Sequence, residues 1–210
     1  KISMMSNHSV DSPAVRDEIY HPKKLSKSQQ VRSLAAVVSG NFLEWFDWTV
    51  YAVFTTYIAA NFFDKEDPAS GVLLTLGVFA GGFLARPLGG LIFGRIGDTI
   101  GRKTALVIAM ILMGLGSLLI AVMPTYETIG VWASVGLFVA RLMQGIAHGG
   151  ESGNAYTYLA EIAPKDKRGL WGSSIMFTVT LGVMAATALG ALLTSLLSPE
   201  DMGSWGWRIA

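Results

Sequence analysis

The chain contains no cysteine. Disulfides, thiolate metal sites and cysteine nucleophiles are therefore excluded, and nothing follows about the redox state of its compartment. Charge is scarce as well. Asp, Glu, Lys and Arg make up 15% of the 210 residues, whereas about 25% is usual in a soluble domain. What charge there is lies unevenly. Residues 1–33 hold six of the sixteen basic groups and no apolar run, so the net charge of +1 says less than its placement. No cleavable signal is evident, because the first apolar run is too long for a signal core and carries two acids in its interior.

What is present is apolar: 51% of residues, gathered in long runs. The most informative stretch separates two of these runs, Gly71–Phe93 and Thr104–Met123. It reads Gly94-Arg95-Ile96-Gly97-Asp98-Thr99-Ile100-Gly101-Arg102-Lys103, a charged turn punctuated by glycine. Runs of this length are membrane helices, and a tight basic loop between two spans faces the cytoplasm. Five spans are expected, at about 34–63, 71–93, 104–123, 129–159 and 169–197, with a sixth beginning near Trp205. The connectors alternate in sign. Asp64-Lys65-Glu66-Asp67, Glu127 and Glu200-Asp201 are acidic. The N-terminal segment, the 94–103 turn and Lys165-Asp166-Lys167-Arg168 are net basic. This alternation places the N-terminus inside.

Residues 1–33 read as a disordered cytoplasmic arm ending in a basic interfacial stretch, and 34–210 as the transmembrane half-bundle. Small residues recur at spacing four in three spans: Gly77, Gly81, Ala85 and Gly89; Gly145, Gly149 and Gly153; Gly182, Ala186 and Gly190. Such stripes let helix backbones approach closely in lipid.

Six ionisable residues fall inside spans: Glu44, Asp47, Arg86, Arg141, His148 and Glu151. In hydrocarbon each is costly unless paired or wet, so each is a functional candidate. Asn41, Glu44, Asp47 or Trp48, Tyr51 and Thr55 share one face of the first span. Arg141, Gln144, His148, Glu151 and Ser152 share one face of the fourth. Polar stripes at this depth face a bundle interior or a water-filled cavity. At 1.5 Å per residue, Glu44 lies roughly 15 Å and Asp47 about 20 Å above the cytoplasmic start of their span. Arg141 lies about 12 Å from the inner face of a core about 30 Å thick, so acid and base are expected to meet near the midplane. Two pressures then act on the carboxylate: loss of water favours the neutral acid, and a neighbouring arginine favours the ion. A solute that competes for the arginine would free the acid to take a proton. His148 and Glu151 also fit the base and acid of an intramembrane enzyme, but no His-Glu-x-x-His or nucleophile signature surrounds them.

The same motifs resemble a known family. The 94–103 segment, with Gly94, Asp98, Gly101, Arg102 and Lys103, is similar to the loop signature between the second and third helices of the major facilitator superfamily. Arg141-Leu142-Met143-Gln144-Gly145 resembles its fourth-helix motif, whose arginine is implicated in proton coupling. Glu161-Ile162-Ala163-Pro164 with Arg168-Gly169 resembles its second cytoplasmic signature. Gly40-Asn41-Phe42-Leu43-Glu44-Trp45-Phe46-Asp47, Ala85-Arg86-Pro87-Leu88-Gly89-Gly90 and Trp205-Gly206-Trp207-Arg208 are similar to its metabolite:proton symporter branch. That branch moves organic acids such as α-ketoglutarate, citrate and shikimate, and osmolytes such as proline and betaine. Two positions depart from the pattern: Thr99, where a basic residue is usual, and Gly149-Gly150-Glu151-Ser152-Gly153-Asn154, which replaces the usual aromatic and small residues.

The resemblance implies an all-α, polytopic membrane bundle, the N-terminal half of a fold of twelve spans, with five spans complete and a sixth barely begun. It implies a proton-coupled symporter of a small organic acid such as a di- or tricarboxylate, in the cell membrane. An osmolyte symporter and a non-transporting membrane piece are the alternatives. Glu44, Asp47 and Arg141 are the candidates for proton coupling. Asn41, Trp48, Tyr51, Arg86, Gln144, His148 and Glu151 are the candidates for lining the solute cavity. Glu161, Pro164, Arg168 and Gly169 are assigned to the second cytoplasmic signature. The expected partners are an organic anion, a proton, the bilayer and a C-terminal half needed for transport. No enzyme activity, cofactor, metal or nucleic acid is expected.

Overall fold

The computed structural model describes residues 26–64 and 68–209. Those residues form eight α-helices and one 3-10 turn: α1 (Lys27–Val53), α2 (Thr55–Phe62), α3 (Pro68–Ile100), α4 (Arg102–Val122), α5 (Tyr126–Ile129), α6 (Val131–Ile162), α7 (Arg168–Leu196), α8 (Pro199–Ser204) and the turn Gly206–Ile209. Residues 1–25 of the expected arm and most of the acidic connector 64–67 lie outside the described residues.

Local chemistry sets the helix ends. Ser26 and Gln29 form a reciprocal capping box, with Gln29 N–H donating to Ser26 Oγ at 3.2 Å and Ser26 N–H to Gln29 Oε1 at 2.9 Å. This starts α1 at Lys27, so the end of the expected arm, 27–33, is helical. The first span is also not one helix. It breaks at Phe54, and Thr55 turns its hydroxyl back to the Tyr51 and Ala52 carbonyls. α4 stops at Met123 and α6 at Ala163. Each precedes a proline and is extended, the conformation proline imposes on its predecessor.

The 94–103 segment is corrected most. It is not a ten-residue turn, because α3 runs unbroken to Ile100 and α4 starts at Arg102. Gly101 alone makes the corner, at φ 101°, where a side chain would be strained. Asp98 lies inside α3 and pairs with Arg102 one turn on, at 2.7 Å.

Among the described residues, three helices are long and apolar enough to cross a membrane: Ala69–Ile100, Arg102–Val122 and Arg168–Leu196. α1 and α6 have 27 and 32 residues, about 40 and 48 Å at 1.5 Å per residue. Their composition is diluted by the two polar stripes, which the bundle buries. Large apolar side chains cover the outside, among them Leu73, Leu84, Ile111, Leu118, Phe177 and Met184. In water such a surface would be a liability; in a bilayer it is what faces lipid or another apolar partner.

Glycines bring the helices together, though not along all the predicted stripes. A Cβ on Gly145 would land on the Gly82 carbonyl, one on Gly149 on the Arg86 carbonyl, and one on Gly89 on the Ile146 carbonyl. α3 and α6 are thus in backbone contact. Gly182 of α7 presses on the Phe42 carbonyl of α1, 2.7 Å from a Cβ placed there. Gly77 and Gly153 have no such neighbour, so Gly82 replaces Gly77 on the working stripe of α3 and the α6 stripe ends at Gly149.

Two apolar clusters bracket the bundle. One joins Tyr51, Phe54, Phe62, Leu137, Met202 and Trp207; the other joins Val37, Leu106, Leu159, Trp171 and Ile175. The residues after α7 fold onto the end that holds the first cluster. Trp207 is buried edge-on against Phe62, and Arg208 Nη1 donates to the Ala121 and Met123 carbonyls at the end of α4. The segment expected to open a sixth span is, as far as Ile209, a short helix and a 3-10 turn.

Candidate functional site

The polar layer lies between the two apolar clusters, on facing sides of α1 and α6. Glu44, Trp48 and Tyr51 of α1 and Arg141, Gln144, His148 and Glu151 of α6 are all at most 3% exposed. The helical period supplies them: on each helix they recur every three or four residues and so share a face.

Two groupings form. In the first, Asp47 accepts three hydrogen bonds. Arg141 Nη1 donates to Oδ2 at 3.2 Å, Gln144 Nε2 to Oδ2 at 3.0 Å and Ser117 Oγ to Oδ1 at 2.6 Å. Gln144 Nε2 also donates to Ser117 Oγ at 2.8 Å. The Arg141 guanidinium lies 3.8 Å above the Tyr51 ring, a favourable face for a cation in a dry site.

In the second grouping, Glu44 Oε1 meets His148 Nδ1. Arg86 of α3 attracts Glu44 electrostatically. Its guanidinium lies 3.7 Å over Phe83 and 4.6 Å over Trp48. Arg86 Nε and Nη2 are buried with no acceptor among the described residues. Trp48 joins the groupings, with Arg141 5.5 Å from its ring centroid and the His148 ring edge-on at 5.6 Å.

Three hollows follow the groove between α1 and α4. The first, about 340 Å³, is lined by Asp47, Tyr51, Ser117, Arg141, Trp207 and Arg208. The second, about 220 Å³, includes Gly40, Asp47, Ser117 and Glu151. The third, about 190 Å³, includes Arg32, Lys103, Glu151 and Tyr158. Arg86, Trp48 and His148 line none of these three. They form a separate place on the α3 side of α1.

Of the expected cavity residues, Tyr51 and Glu151 line hollows, and Arg86, Trp48 and His148 form the aromatic and cationic group. The remaining two belong to neither. Asn41 donates to the Ile175 carbonyl at 3.1 Å and Thr178 Oγ1 at 2.9 Å, so its amide is spent on holding α7. Gln144 is fully buried within the Asp47 network. Asp47 and Arg141 come together as the depth argument expects, whereas Glu44 turns to His148.

Two residues escaped sequence reasoning. Ser117 is the only side chain with an N–H or O–H between Thr104 and Val122, and that isolation was the available signal. Asn154 is the other. It accepts from Arg102 Nη1 at 3.1 Å and donates to the Phe93 and Gly150 carbonyls, fixing the 94–103 segment to α6. In the second signature, Glu161 ends α6, Pro164 follows its cap and Arg168-Gly169 opens α7.

Membrane-length helices in glycine-mediated contact around a buried layer of ion pairs define a polytopic membrane protein. The solved proton:xylose symporter XylE, described as a major facilitator superfamily protein, superposes with a TM-score of 0.74 at 20% identity, covering 87% of this chain and 41% of that one. Residues 33–210 match the model of the sugar (and other) transporter family, and the chain belongs to that family. The α-ketoglutarate permease of Escherichia coli is 42% identical over 89% of this chain and 44% of its own length. The citrate-proton symporter of Klebsiella pneumoniae is 37% identical over 86% and 40%. A Staphylococcus haemolyticus protein provisionally named a proline/betaine transporter is 45% identical over 85% and 38%. The chain thus spans about two fifths of the length of the curated relatives it matches, and these relatives are permeases rather than enzymes.

Proposed function

We propose that the whole protein is a proton-coupled symporter of a small organic anion, a di- or tricarboxylate, working by alternating access in the cell membrane with its N-terminus in the cytoplasm. Asp47 carries the coupling proton. The observation behind this choice is the ion pair between Asp47 and Arg141, set beside two hollows of about 340 and 220 Å³ that Asp47 itself lines. A buried pair of this kind gives two states of similar cost: the ionised pair, and a neutral acid beside an arginine that seeks another anion. Glu44 is the weaker candidate, because His148 already meets its carboxylate.

The solute site is assigned to Arg86, held between Trp48 and Phe83 with Nε and Nη2 unpartnered. A planar guanidinium with spare donors suits a carboxylate. The relatives that move α-ketoglutarate and citrate support the anionic reading. A zwitterionic osmolyte, presenting one carboxylate to the same arginine, is the second reading, favoured by the proline/betaine relative.

The test uses the full-length protein in proteoliposomes, with Asp47→Asn, Glu44→Gln and Arg86→Lys. Asp47→Asn is expected to abolish accumulation driven by a proton gradient and to spare solute counterflow, which needs no net proton movement. Arg86→Lys is expected to raise KM for the solute about tenfold. Accumulation by both acid variants with unchanged pH dependence refutes the proton assignment. Competition by betaine but not by dicarboxylates selects the second reading.

A further inference from the structure

Asp47 has three partners, and they differ in what they can do. The guanidinium of Arg141 and the amide nitrogen of Gln144 are donors only, whereas a serine hydroxyl donates one hydrogen bond and accepts two. Ser117 also has a second acceptor within reach, the Met113 carbonyl one turn back, at 3.3 Å from its oxygen. The bond to Asp47 Oδ1 is 2.6 Å, and Gln144 holds the serine oxygen from a third direction at 2.8 Å. A proton added to Oδ1 turns that atom into a donor. A partner that could only donate would then oppose it, and a buried donor left facing a donor is costly.

We propose that Ser117 is a positioning residue that inverts its hydrogen bond when Asp47 is protonated; this rests on the reading of Asp47 as the proton-carrying acid. With Asp47 ionised, the Ser117 hydroxyl donates to Oδ1. With Asp47 neutral, the new O–H of Asp47 donates to Ser117 Oγ, and the serine hydrogen swings to the Met113 carbonyl. The bond formed is O–H on Asp47, and the bond broken is one O–H of a hydronium ion arriving through the adjoining hollow, which is left as water. No bond to serine breaks and no heavy atom has to move. The site thus keeps the Ser117 bond to Asp47 in either protonation state, while the hold of Asp47 on Arg141 falls from an ion pair to a neutral hydrogen bond at Oδ2.

Other charges around Asp47 set the baseline. Glu44 and Tyr51 belong to α1, Arg141 and Glu151 to α6, Arg86 of α3 acts through Glu44, and Arg208 lines the far side of the first hollow. Between Ala105 and Val122, α4 supplies no charged side chain. These groups are common to wild type and variants, so a difference at position 117 reports on the hydroxyl.

The experiment measures uptake by the full-length protein in proteoliposomes across external pH, together with counterflow, for Ser117→Ala, Ser117→Thr and Asp47→Asn. The expected result for Ser117→Ala is a shift of about one unit in the pH of half-maximal uptake and a roughly tenfold lower proton-driven rate, with counterflow within about twofold of wild type. Ser117→Thr, which keeps the hydroxyl, is expected to restore both. A wild-type pH profile in Ser117→Ala, or a threonine variant that behaves like alanine, overturns the proposal. So does a loss of proton-driven uptake and counterflow in equal proportion, which marks a packing role. If Asp47→Asn still accumulates solute, the parent reading fails and takes this one with it. If Asp47→Asn is inactive in accumulation while Ser117→Ala is normal, only the inversion is wrong.

Discussion

Arg141 holds two residues of α1 with one planar group. Its Nη1 lies 3.2 Å from Asp47 Oδ2, and its central carbon lies 3.8 Å over the ring of Tyr51, one helical turn further along. The Tyr51 hydroxyl in turn donates to the Thr75 carbonyl of α3 at 3.1 Å. Three helices therefore meet at one guanidinium. Lysine, with a point charge and no plane, cannot reproduce both contacts.

Removing that guanidinium alone should be worse than removing the whole pair. Arg141→Ala leaves the Asp47 carboxylate without its counter-charge, a change that should cost less than the about 3–5 kcal/mol of a fully buried charge, because the Asp47 side chain is 22% exposed. The double variant Asp47→Asn/Arg141→Ala should recover part of that loss. Thermal unfolding of the purified full-length protein in detergent checks this. Simple additivity of the two single variants would show that the pair contributes nothing to the fold.

Glycine positions should separate sharply. Gly145→Ala sets a methyl group against the Gly82 carbonyl, and Gly89→Ala one against that of Ile146. Overpacking of this kind costs about 1–3 kcal/mol and should lower both yield and melting temperature. Gly153→Ala meets nothing within 4 Å and should be neutral or slightly stabilising, since alanine is the better helix former. Equal effects at 145 and 153 would contradict the described packing of α3 on α6.

At the corner between α3 and α4, Asp98 and Arg102 should not be equivalent. Their ion pair is partly exposed, with side chains 66% and 30% accessible, and such pairs contribute about 0–1 kcal/mol. Asp98→Asn should leave expression and stability unchanged and lower only the transport rate. Arg102→Ala also forfeits the bond to Asn154 and should reduce stability as well. Thermal shift and uptake, measured on the same preparations, distinguish the two.

The proposed orientation is open to direct labelling. A single cysteine at position 99 is added to a protein segment that has none. It should resist an impermeant thiol reagent in intact cells and react once the membrane is permeabilised. Strong labelling from outside would reverse the proposed topology.

The spans and the meeting of Asp47 with Arg141 were legible because both are one-dimensional. Length fixes a span, and residue count fixes depth. What the sequence hid depends on azimuth and on neighbours. Asn41 shares the face of Glu44 by helical period, yet it sits at the edge turned to α7, and only the packed helix shows that its amide is already used. Ser117 belongs to a helix with no polar stripe, so no periodicity marked it. The 94–103 segment misled for another reason. Glycine and charge signal a turn in water, but at the end of a long membrane helix the same residues continue the helix, and only Gly101 needs a conformation that others avoid.

The backbone contact between α3 and α6 has a mechanical consequence. Two helices whose peptide groups touch at Gly82, Arg86 and Ile146 have no side-chain cushion between them. To slide, one would have to climb over the carbonyls of the other, so the pair behaves as a single stiff beam. α1 and α7, meeting at Gly182 and Phe42, form a second beam. Between the beams contact is made by side chains alone, the two apolar clusters and the charged layer they enclose. On the proposed reading, a proton arriving at Asp47 would act at the boundary between the beams, where a change of one charge would bear on both.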